Sequence, residues 1–373
     1  MVIFEAYISS IMKHSILFFI SILFLGSLLT SCNEDVDLIG DFEETAVVYG
    51  LLDKADSVHF IKINRAFIGP GNALDISQIP DSNEFQQVDA TISEYINGSL
   101  ARQWTLADST VENKDPNGVF YAPYQKVYYF KTTSTAPLNA NGIYKLHISI
   151  NGGEIEVDGE TDIVSGMSTS ADGQSFRFDF VDNPGVYLQK GLSVSAGNSH
   201  IINATLEVKF FEYTAPGVGA LKSFKWNLGE SDVAPNGSKT FTTNGKTFYD
   251  LVLANVTNNP LINQRKLYSI NIIATGGGED LYNYMTVNVP SSTLAQSKPT
   301  YTNLSVNANH RVIGIFSSRL TYSIEKKYIN PSNVNLRMLA PKSVTELCTG
   351  PITGNLFFCS QHIGDAATSY YCP

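Results

Sequence analysis

The sequence predicts a mainly β protein, a sandwich followed by a second β-rich domain with one or two short helices. Three observations predict it. Apolar residues recur at every second position through much of the chain, as half-buried strands require. Asn-Gly and Asp-Pro turn signals separate those runs at short intervals. Aromatic residues make up 11 % of the chain and charged residues only 16 %, a balance that belongs to a chain with a packed core and not to a disordered one.

At the N-terminus, Lys13 and His14 precede an apolar run from Ile16 to Leu29, and Thr30 and Ser31 close it. A basic start, a short apolar stretch and small residues describe a secretory signal over 1–31. Residues 1–11 precede a better start at Met12 and include Glu5, which suits a basic region poorly, so they read as a start-site extension. The apolar run is ~14 residues, short of the ~20 that a membrane span needs. Leu29-Thr30-Ser31-Cys32 resembles the bacterial lipobox. That resemblance implies cleavage before Cys32 and a diacylglycerol on its thiol. A signal peptide that merely contains a cysteine is the plainer alternative. Residues 32–44 form an acidic tether with Glu34, Asp35, Asp37, Asp41, Glu43 and Glu44. Within it, Asn33-Glu34-Asp35 looks like the acidic export signal of some Bacteroidetes lipoproteins, although a solvated linker has the same composition.

The net charge is −10, and removing 1–31 takes away one Glu and one Lys and leaves it unchanged. Such a charge argues against nucleic acid and against whole-protein attraction to anionic lipid, so membrane attachment falls to the N-terminal lipid. Residues 32–373 exceed the ~100–150 that one core usually serves, which predicts two domains.

The first domain is expected over 45–164. Ala46 to Leu52 is an apolar strand. Val58 to Asn64 alternates, with Val58, Phe60 and Lys62 on one face and His59, Ile61 and Ile63 on the other. Further strands are expected at Val88–Ile96, Val127–Lys131, Tyr144–Ile150 and Ile155–Val157, with turns at Asn97-Gly98, Asp115 to Gly118, Asn141-Gly142 and Asn151 to Gly153. Strands at this spacing, without helical period, suggest a sandwich.

The second domain is expected over 165–325. Phe176 to Phe180 alternates cleanly, and strands are expected at Ala204–Tyr213, Ser223–Trp226, Tyr268–Ala274 and Val312–Phe316. Phe248, Leu251, Val252 and Asn255 instead fall at helical spacing. Glu279 and Asp280 suit the first turn of a second helix. The tail, 326–373, carries Cys348, Cys359 and Cys372. An exported chain favours a disulfide; Cys348–Cys359 is the expected pair, with Cys372 left over. A zinc site from the three cysteines and His362 is the rival, but the spacing lacks the short knuckle of structural zinc.

The Ala46-Val47-Val48-Tyr49-Gly50-Leu51-Leu52 strand, the segment Asp280 to Met285, and Thr302 to Arg319 with its Gly314-Ile315-Phe316 resemble a Bacteroidetes lipoprotein family, the domain of unknown function 4249 family. The resemblance covers most of 45–360, and 279–319 is its more specific part. It implies an immunoglobulin- or transthyretin-like first domain, paired cysteines near the C-terminus, and an outer-membrane lipoprotein often found beside TonB-dependent transporters. It brings no catalytic residues. Two departures stand out: Asn307 to Arg311 replaces a tighter Asn-Gly turn, and the terminal cysteines are widely spaced.

No Gly-x-Ser-x-Gly elbow, His-Glu-x-x-His or Cys-x-x-Cys occurs. His59, His147, His200, His310 and His362 are scattered singly, and His59 and His147 are the two that strands of one domain can bring face to face. Glu154, Glu156, Asp158 and Glu160 alternate along one strand, as a solvated sheet face does; calcium binding is the other reading, unsupported by any Asp-x-Asp-x-Asp-Gly loop. Gly276-Gly277-Gly278 lacks the Lys-Ser/Thr of a phosphate cradle. No metal or other cofactor is expected.

Phe120 to Phe130 holds six rings. They read as core and cross-strand packing, or as a platform for a sugar or a partner protein made by Tyr121, Tyr124 and Tyr129. Asp108-Ser109-Thr110, in an expected loop, matches an O-glycosylation pattern of this bacterial group at Ser109, as Asp56-Ser57-Val58 does at Ser57. The expected function is a non-enzymatic binding or accessory component on the outer membrane, at its periplasmic or surface face. The alternatives are a structural or adhesive envelope protein and a hydrolase with an unrecognised site.

Overall fold

The structure is a computed structural model and describes residues 44–66, 73–112, 114–118, 121–288, 300–327 and 337–372. The expected signal segment, most of the tether and Cys32 lie outside the described residues. In the first half, β1 (Thr45–Asp53) and β2 (Val58–Ala66) form a hairpin, followed by short helices α1 (Ala73–Ser77) and α2 (Pro80–Asn83). Six strands follow: β3 (Val88–Ile96), β4 (Ser99–Thr105), β5 (Ala107–Glu112), β6 (Tyr124–Lys131), β7 (Ile143–Ile150) and β8 (Ile155–Thr161). The second half begins with β9 (Ser168–Thr169), β10 (Val181–Asn183), β11 (Val186–Tyr187) and β12 (Gln189–Ser195). The long β13 (Ile201–Ala215) and β14 (Val218–Asp232) come next, then β15 (Ser238–Asn244) and α3 (Gly245–Asn255). After these stand β16 (Gln264–Gly277), α4 (Glu279–Asn288), β17 (Leu304–Val306) and β18 (Arg311–Lys327). The tail holds α5 (Pro341–Thr349) and β19 (Phe358–Cys359).

The fold is mainly β. A nine-stranded sheet runs β14-β13-β16-β18-β1-β2-β6-β5, with β19 beside β16. Over one half of its inner face lies a five-stranded sheet, β17-β8-β7-β3-β4. Alternation builds the layer between them: Ala46, Val48, Leu52, Ile61, Ile63 and Phe130 point in from one sheet, and Ile92, Tyr144, Leu146, Ile148 and Val157 from the other. Phe316 of β18 sits at the centre, where a Cβ on Gly50 would press within 2.9 Å of its ring and one on Gly159 within 3.2 Å of its Cβ. Leu106 carries the chain from β4 in one sheet to β5 in the other, anchored by its N–H to the Ala90 carbonyl at 2.9 Å.

Over the other half of the same inner face lie the three-stranded sheet β15-β12-β9, α3, α5 and the tail. Phe178, Phe180, Leu206, Phe210, Phe248 and Ile272 fill that core. The two β-rich regions share the nine-stranded sheet. At the crossing near 164, the Val164 N–H bonds to Ser318 Oγ of β18 at 3.0 Å.

One local expectation needs correction, and β4, β5 and α5 go beyond the expected elements. Phe176–Phe180 is an extended segment and not a strand, because only a single bridge, Phe178 to Leu339, pairs it, and the Phe180 N–H is taken by Ser343 Oγ at 2.8 Å. The strands β4 and β5 arise where the sequence shows polar, exposed residues, because both are sheet edges. The tail forms a helix, α5, with Val344 and Leu347 packed into the second core.

Among the described residues, buried carboxylates have ion-pair or hydrogen-bond partners. Glu94 of β3 accepts from Arg102 Nη2 at 2.7 Å, from the Asn139 N–H at 3.1 Å and from the Tyr144 hydroxyl. Burial pushes the Glu94 carboxyl up, but Arg102, Tyr144 and Asn139 outweigh it and hold it below 4.5. That contribution to stability is therefore complete above pH 4.5 and is lost as pH falls through the lowered folded value. Glu94→Gln should cost about 3 kcal/mol in denaturant unfolding, as a broken buried pair does, and should flatten the acid limb of the stability curve. Cys372→Ser, which opens the 13-residue bridge to Cys359, should cost about 2–3 kcal/mol in the same measurement.

Candidate functional site

On the outer face of the nine-stranded sheet, α4 (Glu279–Asn288) lies against β18 and leaves a groove between itself and β2. Gly278 starts the helix by donating its N–H to the Ser318 carbonyl at 3.0 Å, and the Leu281 N–H bonds to Ser317 Oγ at 3.2 Å. Glu279 and Asp280 occupy the first turn, where carboxylates are favoured. Asp280 also accepts the Tyr301 hydroxyl at 2.5 Å, tying the segment after the helix back to its start.

The groove encloses about 340 Å³. Its floor is Leu51 and Ile315, and its walls are the rings of Tyr49, Phe60 and Tyr284. The Tyr49 and Tyr284 rings meet edge to face at 6.0 Å, with hydroxyls 2.9 Å apart. Burial, and then the hydrogen bond with Tyr284, push the Tyr49 hydroxyl up to about 12. Phe60 is half exposed, 6.1 Å from the Tyr129 ring. Arg319 closes one end, 3.9 Å from Asp53. A ring-walled groove with one guanidinium at its end is equipped to hold a ligand or a partner side chain; its lining offers no nucleophile paired with a base. A second hollow flanks the other side of α4, between Tyr282 and Met285 and the acids Glu230 and Asp232.

The structure brings one of the three expected platform tyrosines to this face. Tyr129 stands beside Phe60, with Lys131 Nζ 5.6 Å from its ring centroid. Alternation along β6 places Tyr124 on the opposite side of the strand, and Tyr121 lies in the preceding loop with its N–H on the Ser77 carbonyl at 3.0 Å. The platform of Tyr121, Tyr124 and Tyr129 is therefore not assembled. Tyr128 and Phe130 are buried, as their alternation requires. Ser109 lies in the edge strand β5 opposite Val127 and not in a loop, whereas Ser57 is exposed in the turn between β1 and β2.

The cysteine pairing is Cys359–Cys372, in place of Cys348–Cys359. The reason is geometric: the Ser360–Tyr371 bridge brings the two Cα atoms to 5.7 Å, while α5 turns Cys348 into the second core, where burial pushes its thiol up to about 12. With two of its cysteines bridged and His362 Nδ1 accepting the Gly364 N–H, the zinc alternative has no ligand set. His59 and His147 do not meet. His59 points into the core, stacked on Phe130 at 4.7 Å, and burial lowers its pKa. His147 lies on the exposed face of the five-stranded sheet, 2.8 Å from Asp158 and 3.1 Å from Glu156. Glu160 pairs with Lys145 at 2.9 Å on that same face, and Glu154 belongs to the preceding turn. Among the described residues no group of three or more His, Cys, Asp or Glu side chains is placed to hold a metal ion.

No protein-family model matches this chain. No curated protein matches it either. Among solved structures, it is similar at 9 % identity and a TM-score of 0.17 to the C-terminal globular domain of an oligosaccharyltransferase from Pyrococcus abyssi, over 56 % of this chain and 41 % of that one. The chain thus spans about two-fifths of that domain's length. A second similarity, at 10 % identity and a TM-score of 0.14, is to CBD12 from CALX1.2, over 74 % of this chain and 99 % of that one. Scores this low carry nothing about function.

Tyr49, Phe60 and Tyr284 are the groove residues that sequence reasoning passed over as a site. The available signal was β2 itself: with His59, Ile61 and Ile63 assigned to the core, Phe60 is a large ring left on the other face. Phe60→Ala should leave the melting temperature nearly unchanged, whereas Phe130→Ala, in the core, should cost about 3–5 kcal/mol. In a spectrophotometric titration, Tyr49→Phe should remove one phenol from the late-ionising tyrosines, a group that also includes Tyr187. What the raised value contributes to stability is complete below pH 10 and is lost as pH rises through 12.

Proposed function

We propose that the chain is a lipid-anchored outer-membrane protein that acts as a non-enzymatic binding or accessory component, with the groove between α4 and β2 as its contact. The observation that carries this reading is Leu29-Thr30-Ser31-Cys32, framed by an apolar run before it and an acidic tether after it. The groove supports the binding part. Its rings lie on a sheet face, outside both cores, and are held in place by neighbours that the fold already fixes. The resemblance to the Bacteroidetes lipoprotein family makes a TonB-dependent transporter, or another envelope protein, the partner to look for. No helix among the described residues is long and apolar enough to cross a membrane.

A structural or adhesive role is the second reading, and β14 favours it. This 15-residue strand is mostly exposed and forms an edge of the nine-stranded sheet, where a neighbour's strand can add.

Mass spectrometry of protein from native membranes should find diacylglycerol on Cys32, and Cys32→Ser should move the protein from the detergent phase to the aqueous phase. An unmodified thiol at Cys32 removes the anchor. Co-purification from crosslinked cells tests the groove: Phe60→Ala with Tyr284→Ala should lose the partner while membrane attachment and melting stay as they were. If the pair retains the partner and only removal of β14 edge contacts releases it, the second reading replaces the first.

A further inference from the structure

Exposed apolar side chains gather at one end of the nine-stranded sheet. Among the described residues the three most exposed large ones are Leu261 at 69 %, Val218 at 62 % and Phe357 at 58 %. They are distant in sequence, and backbone hydrogen bonds bring their loops together. Val218 follows the Pro216-Gly217 turn at the tip of the β13–β14 hairpin. The Asn263 N–H bonds to the Tyr213 carbonyl at 3.0 Å, which sets the Leu261 loop beside that hairpin. The Arg265 N–H bonds to the Phe357 carbonyl at 2.7 Å, which adds the third loop.

One buried ion pair fixes this rim. Arg265 Nε donates to Glu212 at 2.9 Å, and its terminal nitrogens donate to the Leu356 and Thr257 carbonyls at 2.7 and 2.8 Å. Phe357 is held at a φ of 61°, a region sparsely used by residues other than glycine, with its ring turned to solvent.

Behind the tips the chemistry changes in layers. Tyr213 and Tyr268 stand next, with Lys266 and Lys327 Nζ 5.6 and 5.2 Å from their ring centroids, and Lys222 is exposed nearby. The segments 214–222, 257–264 and 350–358 contain no Asp or Glu, in a chain with 35 of them. At the hairpin, Glu212 is buried against Arg265; farther from the tips, Glu207 pairs with Lys209 at 3.1 Å and Glu325 with Lys327 at 2.7 Å. Whole-protein charge opposes an anionic surface, but the three tip segments carry none of the acids that such a surface would repel, and the acids behind them are paired with lysines or arginine. Apolar tips, then tyrosines, then lysines is the order of a lipid–water interface: acyl boundary, headgroups, phosphates.

We infer that this rim rests in the interface of a phospholipid bilayer. Which membrane it meets rests on the lipid-anchor reading; the contact itself does not. The test uses the full-length chain on vesicles of phosphatidylethanolamine and phosphatidylglycerol with brominated acyl chains. Tryptophan is placed by Leu261→Trp, Val218→Trp or, as control, Leu100→Trp, a site on β4 that is 55 % exposed. The emission added at 261 and 218 should shift to shorter wavelength and lose at least half its intensity to bromine, while that at 100 should not change. Equal quenching at all three sites, or none at 261 and 218, overturns the inference. So does a blue shift without bromine quenching that tracks self-association in sedimentation, which assigns the rim to a second copy. Running the series also in Cys32→Ser separates the two readings: rim quenching that persists there stands without the anchor, and an anchored chain with an unquenched rim leaves only the anchor.

Discussion

One strand holds both halves of the described fold together. β18 runs for 17 residues; its first half pairs parallel with β1 and its second half antiparallel with β16. Everything on the inner face follows from that continuity, because Phe316 serves the first core and Leu320 the next, four residues along the same strand face. The parallel pairing brings the chains very close at one point. Gly314 has a φ of +112°, and a Cβ there would lie 1.9 Å from the Val48 carbonyl oxygen. Only glycine satisfies both the backbone and the space, so the Gly314-Ile315-Phe316 block has a physical reason independent of any family resemblance.

The same continuity shapes the outer face. Tyr49 comes from β1, Phe60 from β2, Ile315 and Arg319 from β18 and Tyr284 from α4, so the groove exists only because β18 sets β1 beside the strand that carries α4. Buried ion pairs act at the periphery of this plan. Arg265–Glu212 gathers three loops, Glu94–Arg102 closes the edge of the five-stranded sheet, and Arg337–Asp365 braces the tail. Such pairs contribute little net stability compared with apolar packing; what they fix is position, since each donor has carbonyl or carboxylate partners at set distances.

Much of the fold was legible because half-buried strands write their pattern directly. His59, Ile61 and Ile63 on one face of β2, and Tyr144, Leu146 and Ile148 on one face of β7, follow from period two alone. The helices at 245–255 and 279–288 were likewise readable, from helical spacing and early acids. Edge strands were not, because β4 and β5 have no buried face to impose a pattern. The disulfide was illegible for a different reason: sequence separation does not show that α5 points Cys348 inward while the Ser360–Tyr371 bridge aligns its neighbours. The groove could be guessed only in part, since its rings come from three elements, and part of its floor from a fourth, whose adjacency is a property of topology.

The two surface features differ in what physical chemistry lets them do. The groove is concave and ring-walled, with a guanidinium at one end and a hydroxyl pair at its wall, so it discriminates by shape and by directed hydrogen bonds. The rim is a set of turn tips without acids, whose attraction is apolar and non-directional, so it can hold an orientation but not select a molecule. Directional and non-directional surface chemistry are therefore separated on this chain, and both depend on sheet geometry that mutations at either surface should leave intact. A lipid at Cys32 would restrict distance from a membrane but not rotation about it; a rigid rim of three loops, riveted by Arg265, is the kind of second contact that removes that freedom and gives the groove a fixed direction to face.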